Sequence, residues 1–222
     1  MSFIDVVKKG PRVDIKLNRP EIKNAFHPEM LKELGDAFVS FEKDSSTRVV
    51  VLSGNGGLFC SGANLKWLSQ QQGAQQNDIG QLADLLQYIR SFPKPVIAKV
   101  EKLALGGAVG LIAACDIVIA SVGTVFALRE VKVGMVPAVI SPFIVEKIGV
   151  GRASYSFLTG KEFKAEDILH WGLIQEVVPP EKLDETINAI VTELLSCGPE
   201  ALRECKELIR NVAGKDPVTV RD

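Results

Sequence analysis

Residues 95–120 read Pro95-Val-Ile-Ala-Lys-Val-Glu-Lys-Leu-Ala-Leu-Gly-Gly-Ala-Val-Gly-Leu-Ile-Ala-Ala-Cys-Asp-Ile-Val-Ile-Ala120. Pro95–Val100 is an apolar run of strand length. Ala104–Ala114 is small, apolar and glycine-bearing, and Gly107 opens a short helix in it. Asp116–Ala120 is again a strand, apolar enough to be buried. A strand, a small apolar helix and a second strand in direct succession point to an α/β core.

The same alternation extends in both directions. Upstream, Phe3–Lys8 and Val13–Leu17 read as two short strands joined at Gly10–Pro11, the second broken by Asn18-Arg-Pro20. From Pro28, the residues Met30, Leu31, Leu34, Ala37, Phe38 and Phe41 recur at helical spacing, and Pro28 suits a first helical turn. Arg48–Leu52 is a strand closed by Ser53-Gly-Asn-Gly-Gly57. A stretch containing Gln70, Gln71, Gln72, Gln75, Gln76 and Gln81 follows; with Gly73 and Gly80 about it, a mobile segment is expected. Helical pattern resumes over Leu82–Ile89 and stops before Pro93 and Pro95. Downstream, Val125–Leu128 is a buried strand. Helices are expected over Pro142–Ile148, Arg152–Leu158, Ala165–His170, Lys182–Leu195 and Ala201–Val212, with one strand at Ile174–Val177.

The composition narrows the functional classes. The 222 residues are 46% hydrophobic and 24% charged, with net charge −1, enough apolar material for one generous domain. That charge gives no field to collect nucleic acid. Cys60, Cys115, Cys197 and Cys205 show no CxxC pair, as expected of free thiols in a reducing compartment. His27 and His170 lack ligand spacing, so no zinc centre is expected. The alternating N-terminus has no signal-peptide core, and no stretch reaches the roughly 18–20 apolar residues of a spanning helix. A cytoplasmic protein without membrane partners is expected.

Five segments carry a resemblance. They are Asn18-Arg-Pro-Glu-Ile-Lys-Asn-Ala25, Leu58-Phe-Cys-Ser-Gly-Ala-Asn-Leu65, Pro93-Lys-Pro-Val-Ile-Ala98, Ala104-Leu-Gly-Gly-Ala108 running into Cys115-Asp-Ile117, and Leu158-Thr-Gly160 followed by Gly172-Leu-Ile174. In this order and register, over roughly residues 3–212, the chain resembles the crotonase (enoyl-CoA hydratase/isomerase) family. The resemblance implies an α/β fold, a spiral of ββα units over residues 1–180 that would hold the CoA and acyl site. A helical C-terminal region over 181–222 would be shortened relative to the family. It also implies an enzyme acting on an acyl-CoA thioester, with coenzyme A as part of the substrate and no other cofactor, assembled as a homotrimer or a dimer of trimers.

The implied chemistry needs donors for a thioester oxygen that gains negative charge. At the matching positions these would be the backbone N–H groups of Ala63 and Gly107. Losing one such donor typically costs about 3–4 kcal/mol of transition-state stabilisation. Read alone, Gly106-Gly107-Ala108 is equally a tight strand-to-helix turn. The implied acid/base is Glu130. The bland reading of Glu130 is a surface ion pair with Arg129, but the apolar run Val131–Val139 is expected to shelter it and raise its pKa. Family hydratases carry a second glutamate where this chain has Gly110, so a two-carboxylate mechanism does not carry over. Asn64 stands where the family usually has Asp, and Glu101-Lys102 where Asn-Gly is common.

By the same resemblance, Lys23 and Lys66 would approach the CoA adenine and phosphates. Ala25, Ser61 and Gly106 would contact the substrate, and Met135, Pro137 and Ser141 would line the acyl pocket. The strings Gly106–Cys115 and Gly134–Pro142 resemble the bacterial branch that hydrates branched, glutaconyl-type enoyl-CoAs such as methylglutaconyl-CoA. Enoyl-CoA hydration is therefore the first expectation. A Δ3–Δ2 enoyl-CoA isomerase using one glutamate and a non-catalytic CoA-binding member are the alternatives.

Overall fold

The computed structural model describes residues 2–63 and 75–213, and only the backbone over 75–79. Strands β1 (Ile4–Lys9) and β2 (Arg12–Leu17) form an antiparallel hairpin, with Gly10 at φ +60 in its turn. Helix α1 (Pro28–Lys43) follows, then β3 (Val49–Gly54). Next come α2 (Gln75–Ser91), β4 (Val96–Val100), β5 (Leu103–Leu105), α3 (Gly107–Ala114), β6 (Ile117–Ser121) and β7 (Val125–Ala127). The last elements are α4 (Ser141–Thr159), β8 (Glu162–Lys164), α5 (Ala165–Ile168), β9 (Glu176–Val178), α6 (Leu183–Ser196) and α7 (Pro199–Val212).

The larger sheet has the order β1-β2-β3-β4-β6-β9, parallel from β2 onward, and a smaller sheet has the order β5-β7-β8. Alternate residues of the central strands enter two different cores. Val50, Leu52, Val96, Ala98, Val100, Val118 and Ala120 face the main core, which α1 to α4 close. Val49, Val51, Ile97 and Ile119 face a second core completed by Leu183, Ile187 and Val191 of α6. Burial on both faces is why these strands are apolar without alternation, as parallel strands covered by helices generally are.

Several expectations are adjusted. The two helices expected over Pro142–Ile148 and Arg152–Leu158 are both present, as the two halves of α4, parted at Gly149, whose backbone (φ 75, ψ 163) is not helical. Helix α2 starts seven residues before the expected Leu82, at Gln75, so the second half of the glutamine stretch is helical. Its first half, with Asn64 and Lys66, lies outside the described residues. The short strands β5 and β8 have no signature of their own. They exist because each pairs with β7, a tertiary partner that local sequence does not announce. Cys60 and Cys115 are buried, and Cys197 and Cys205 are exposed. Among the described residues no helix is long and apolar enough to cross a membrane.

Candidate active site

The small sheet ends where the site begins. Strand β5 delivers the chain to Gly106, whose N–H donates to the Ala127 carbonyl of β7 (2.8 Å). Gly106 turns with φ +52 and ψ −123, a conformation that a side chain would strain, and α3 starts at the next residue. The Gly107 N–H stands in the first turn of that helix, where amides have no intrahelical partner and the helix dipole favours negative charge. The rest of α3, Ala108–Ala114, is buried and holds the helix in place, while Gly106 and Gly107 at its start are only half-buried.

A second backbone segment lies against it. Cys60 bridges Ala104 in parallel, the Cys60 N–H donating to Leu103 O (3.2 Å) and the Leu105 N–H to Cys60 O (3.1 Å). On its other side, Ser61 N–H donates to Lys23 O (3.0 Å) and Phe26 N–H to Gly62 O (2.7 Å), and Ala63 bridges Phe26. Residues 60–63 are thus held as a strand between 23–26 and β5. Gly62 has φ +85, and a Cβ there would lie 2.4 Å from the Leu105 carbonyl oxygen and 3.4 Å from Gly107 N. Only a glycine permits this approach, which sets the Ala63 segment beside the first turn of α3.

Asn24 holds the segment from beneath. Fully buried, it accepts from Arg19 N–H (2.7 Å), while its Nδ2 faces the carbonyls of Asn55, Leu58 and Phe59 at 3.0–3.1 Å. The Cys60 thiol donates to Asn24 O (2.9 Å) and accepts from Gly62 N–H (3.3 Å). Burial pushes this thiol up to about 12, which makes it a neutral brace rather than a nucleophile. Neither residue was expected to have a role. The position of Asn24 inside the Asn18–Ala25 string was the available signal, since a polar side chain there needs partners.

Glu130 follows β7 at the start of a single 3₁₀ turn, Glu130–Val133. Its Oε1 would lie 3.0 Å from a Cβ at Gly106, so the missing side chain there leaves room for the carboxylate. Oε2 is buried with no hydrogen-bond partner among the described residues. Desolvation raises the Glu130 pKa above its ordinary value, partly offset by its own backbone amide. Arg129 pairs instead with Glu162 across β8, so the ion-pair reading of Glu130 does not hold.

The shelter has a different source from the one expected. Val131, Val133, Met135 and Val136 are exposed, Met135 at 39% and Val136 at 77%. The turn closed by Gly134 carries these side chains outward, and the carboxylate is covered from the Gly106 side. Pro137 is half-buried, and the Ser141 hydroxyl donates back to Ala138 O (2.9 Å) at the start of α4. The residue of this stretch that reaches α3 is Ile140, 3% exposed, whose Cγ2 would lie 2.2 Å from a Cβ at Gly110. Nothing local marked it, because the contact joins residues thirty positions apart. Gly106, Gly107, Ser61, Ala63, Ala25 and Lys23 thus come together around the α3 entry. Ala25 is buried and Lys23 exposed in a left-handed turn (φ 56), and Met135 and Ser141 lie on the 131–141 excursion that follows Glu130.

The glycine turns at 62 and 106 and the desolvated Glu130 carboxylate sit on an α/β scaffold that known proteins share. Residues 12–221 match the family described as Enoyl-CoA hydratase/isomerase, and the chain belongs to that family. A Thermus thermophilus protein provisionally named an enoyl-CoA hydratase is 34% identical over 212 residues, covering 94% of this chain and 84% of that one. The enoyl-CoA hydratase ACTT6 of Alternaria alternata is 33% identical over 207 residues, covering 93% and 69%. The solved structure of an enoyl-CoA hydratase from Shewanella pealeana superposes with a TM-score of 0.93 at 31% identity, over 98% of this chain and 83% of that chain. The crotonase-type fold expected from the five segments is therefore the fold of this protein.

Proposed function

We propose that this protein is an enoyl-CoA hydratase that works with one carboxylate. The observation that carries the reading is Glu130: an oxygen buried without a hydrogen-bond partner among the described residues, beside the glycine turn that feeds the α3 amide end. In this mechanism the ionised Glu130 takes a proton from water as the hydroxide adds to C3 of the enoyl thioester. The electron pair moves to the thioester oxygen, where the Ala63 and Gly107 N–H groups hold the enolate. The protonated Glu130 then returns its proton to C2, which restores the carboxylate and completes the addition of water. A pKa raised by burial makes Glu130 a stronger base near neutrality than an exposed glutamate.

Isomerisation from Δ3 to Δ2 is the second reading. It is favoured by Gly110, over which Ile140 leaves no room for another side chain; one base would remove a proton at C2 and return it at C4. Lys23 and Lys66 would approach the CoA adenine and phosphates, with Met135, Pro137 and Ser141 about the acyl end. A branched or glutaconyl-type acyl group, a cytoplasmic setting and homotrimeric assembly complete the proposal, with no cofactor beyond the CoA of the substrate.

Crotonyl-CoA and 3-methylglutaconyl-CoA should both be tested by loss of conjugated-thioester absorbance, with 3-hexenoyl-CoA as the isomerisation substrate. Turnover of the first pair supports hydration. Conversion of 3-hexenoyl-CoA alone transfers the assignment to isomerase. CoA binding by folded protein without any turnover would favour the non-catalytic reading.

A further inference from the structure

The excursion from Glu130 to Ile140 is anchored to the α3 entry at both ends, each time over a glycine. Glu130 lies over Gly106, and Ile140 lies over Gly110, where a Cβ would meet its Cγ2 at 2.2 Å and its Cβ at 2.6 Å. Gly110 is one turn along α3 from Gly107, about 4.5 Å in axial rise. Helix α2 follows the same spacing: Leu82 Cδ2 would lie 3.5 Å from a Cβ at Gly107 and Leu86 Cδ1 3.4 Å from one at Gly110. Ile140 and Leu86 are both buried. One turn beyond the Gly107 amide, the packing over Gly110 is therefore hydrocarbon, contributed by Ile140 and Leu86 over a position with no side chain.

We propose that Ile140 is a specificity-determining residue, setting the size and polarity of the acyl group at C3. The proposal rests on the enoyl-CoA reading given above. With a thioester oxygen held at Gly107, one helical turn is the reach to the β-carbon and its substituents. The Ile140 side chain stands at that level and accepts a hydrogen or a small alkyl branch there, not a polar group, whose burial against hydrocarbon would leave it without a hydrogen-bond partner. Water and proton transfer are thereby confined to the Glu130 side.

The test compares kcat/KM for crotonyl-CoA and 3-methylcrotonyl-CoA in the full chain and in Ile140→Val and Ile140→Ala. Removing hydrocarbon from a substrate-facing wall changes discrimination by about tenfold per methylene-sized step. The ratio is expected to move about tenfold towards the branched substrate in Ile140→Val and further in Ile140→Ala, with competitive inhibition by free CoA unchanged. An unchanged ratio in folded variants of an active protein overturns the role of Ile140 and leaves the enoyl-CoA reading intact. A wild-type protein that turns over neither these nor the other enoyl-CoAs removes both. If Ile140→Ala does not fold, Ile140→Val decides the question. Independently, Gly110→Ala should lower the urea midpoint of unfolding clearly less in the Ile140→Ala background than in the unaltered chain; equal effects in the two backgrounds would show that Ile140 does not fill that space.

Discussion

Glu130 combines a buried oxygen with a raised pKa, and the two have separable consequences. Glu130→Gln keeps the shape and removes the base, so kcat should fall about a hundredfold or more in steady-state assays, with CoA affinity little changed. The acid limb of kcat/KM should lie above the ordinary glutamate range, because the working form is ionised and burial disfavours ionisation. The effect on stability has the opposite sense. The folded state holds this proton more tightly than the unfolded chain, so the contribution of Glu130 to stability declines as pH rises from the ordinary value through the raised one. Glu130→Gln should abolish that decline in urea titrations. Asn24 belongs to the same scale: its amide holds together the loop that places residues 60–63. Asn24→Ala leaves those carbonyls without their donor and should cost about 2–3 kcal/mol of unfolding free energy, with kcat falling as well because Ala63 loses its support.

Among the elements, α7 shows how a helix without a large buried face is secured. Lys206 is 9% exposed, and its ammonium donates to Lys94 O (2.9 Å) and Asp116 Oδ2 (2.6 Å). Asp116 Oδ2 also accepts from Val96 N–H (2.7 Å), so the strand end, the α3–β6 junction and α7 share one ion pair. Burial lowers the Lys206 pKa, which the Asp116 charge opposes. Removing one member of such a pair strands the other. Asp116→Ala should therefore destabilise by about 3 kcal/mol, whereas Lys206→Met, which leaves Asp116 bonded to Val96, should cost clearly less; urea unfolding of the two variants checks the order. α4 and α2 show element boundaries of two kinds. Gly149, with non-helical φ and ψ, parts the two halves of α4 where the local pattern places a break, whereas α2 carries polar glutamines in its first turn and its anchoring residues, Leu85, Leu86 and Ile89, come later.

At the scale of the molecule, Val131, Val133, Met135 and Val136 are all exposed within six residues, interrupted by Lys132 and Gly134, on the excursion between β7 and α4. Such a surface supports the proposed packing of copies. Sedimentation velocity should give a trimer mass, and Val136→Lys should shift the distribution towards monomer; a monomeric wild type would remove the assembly proposal. Much of this architecture could be read in the chain before folding. Strand and helix order follows from periodicity, because β3, β4 and β6 are apolar on both faces and α1 repeats its buried residues at helical spacing. The glycine pair at 106–107 and the Gly62 segment were legible for a similar reason, since close backbone approach and positive φ admit few residue types. What tertiary structure alone decided lies in contacts between distant segments. Arg129 was adjacent to Glu130 in sequence, yet pairs with Glu162. The Val131–Val139 run was mostly apolar and yet turns its first residues outward, while Ile140 packs over α3. Sequence by itself determined which backbone shapes were permitted. That the Glu130 carboxylate lies over Gly106 and that Ile140 fills the space over Gly110 depended on packing between segments more than twenty residues apart, and local composition holds no record of that.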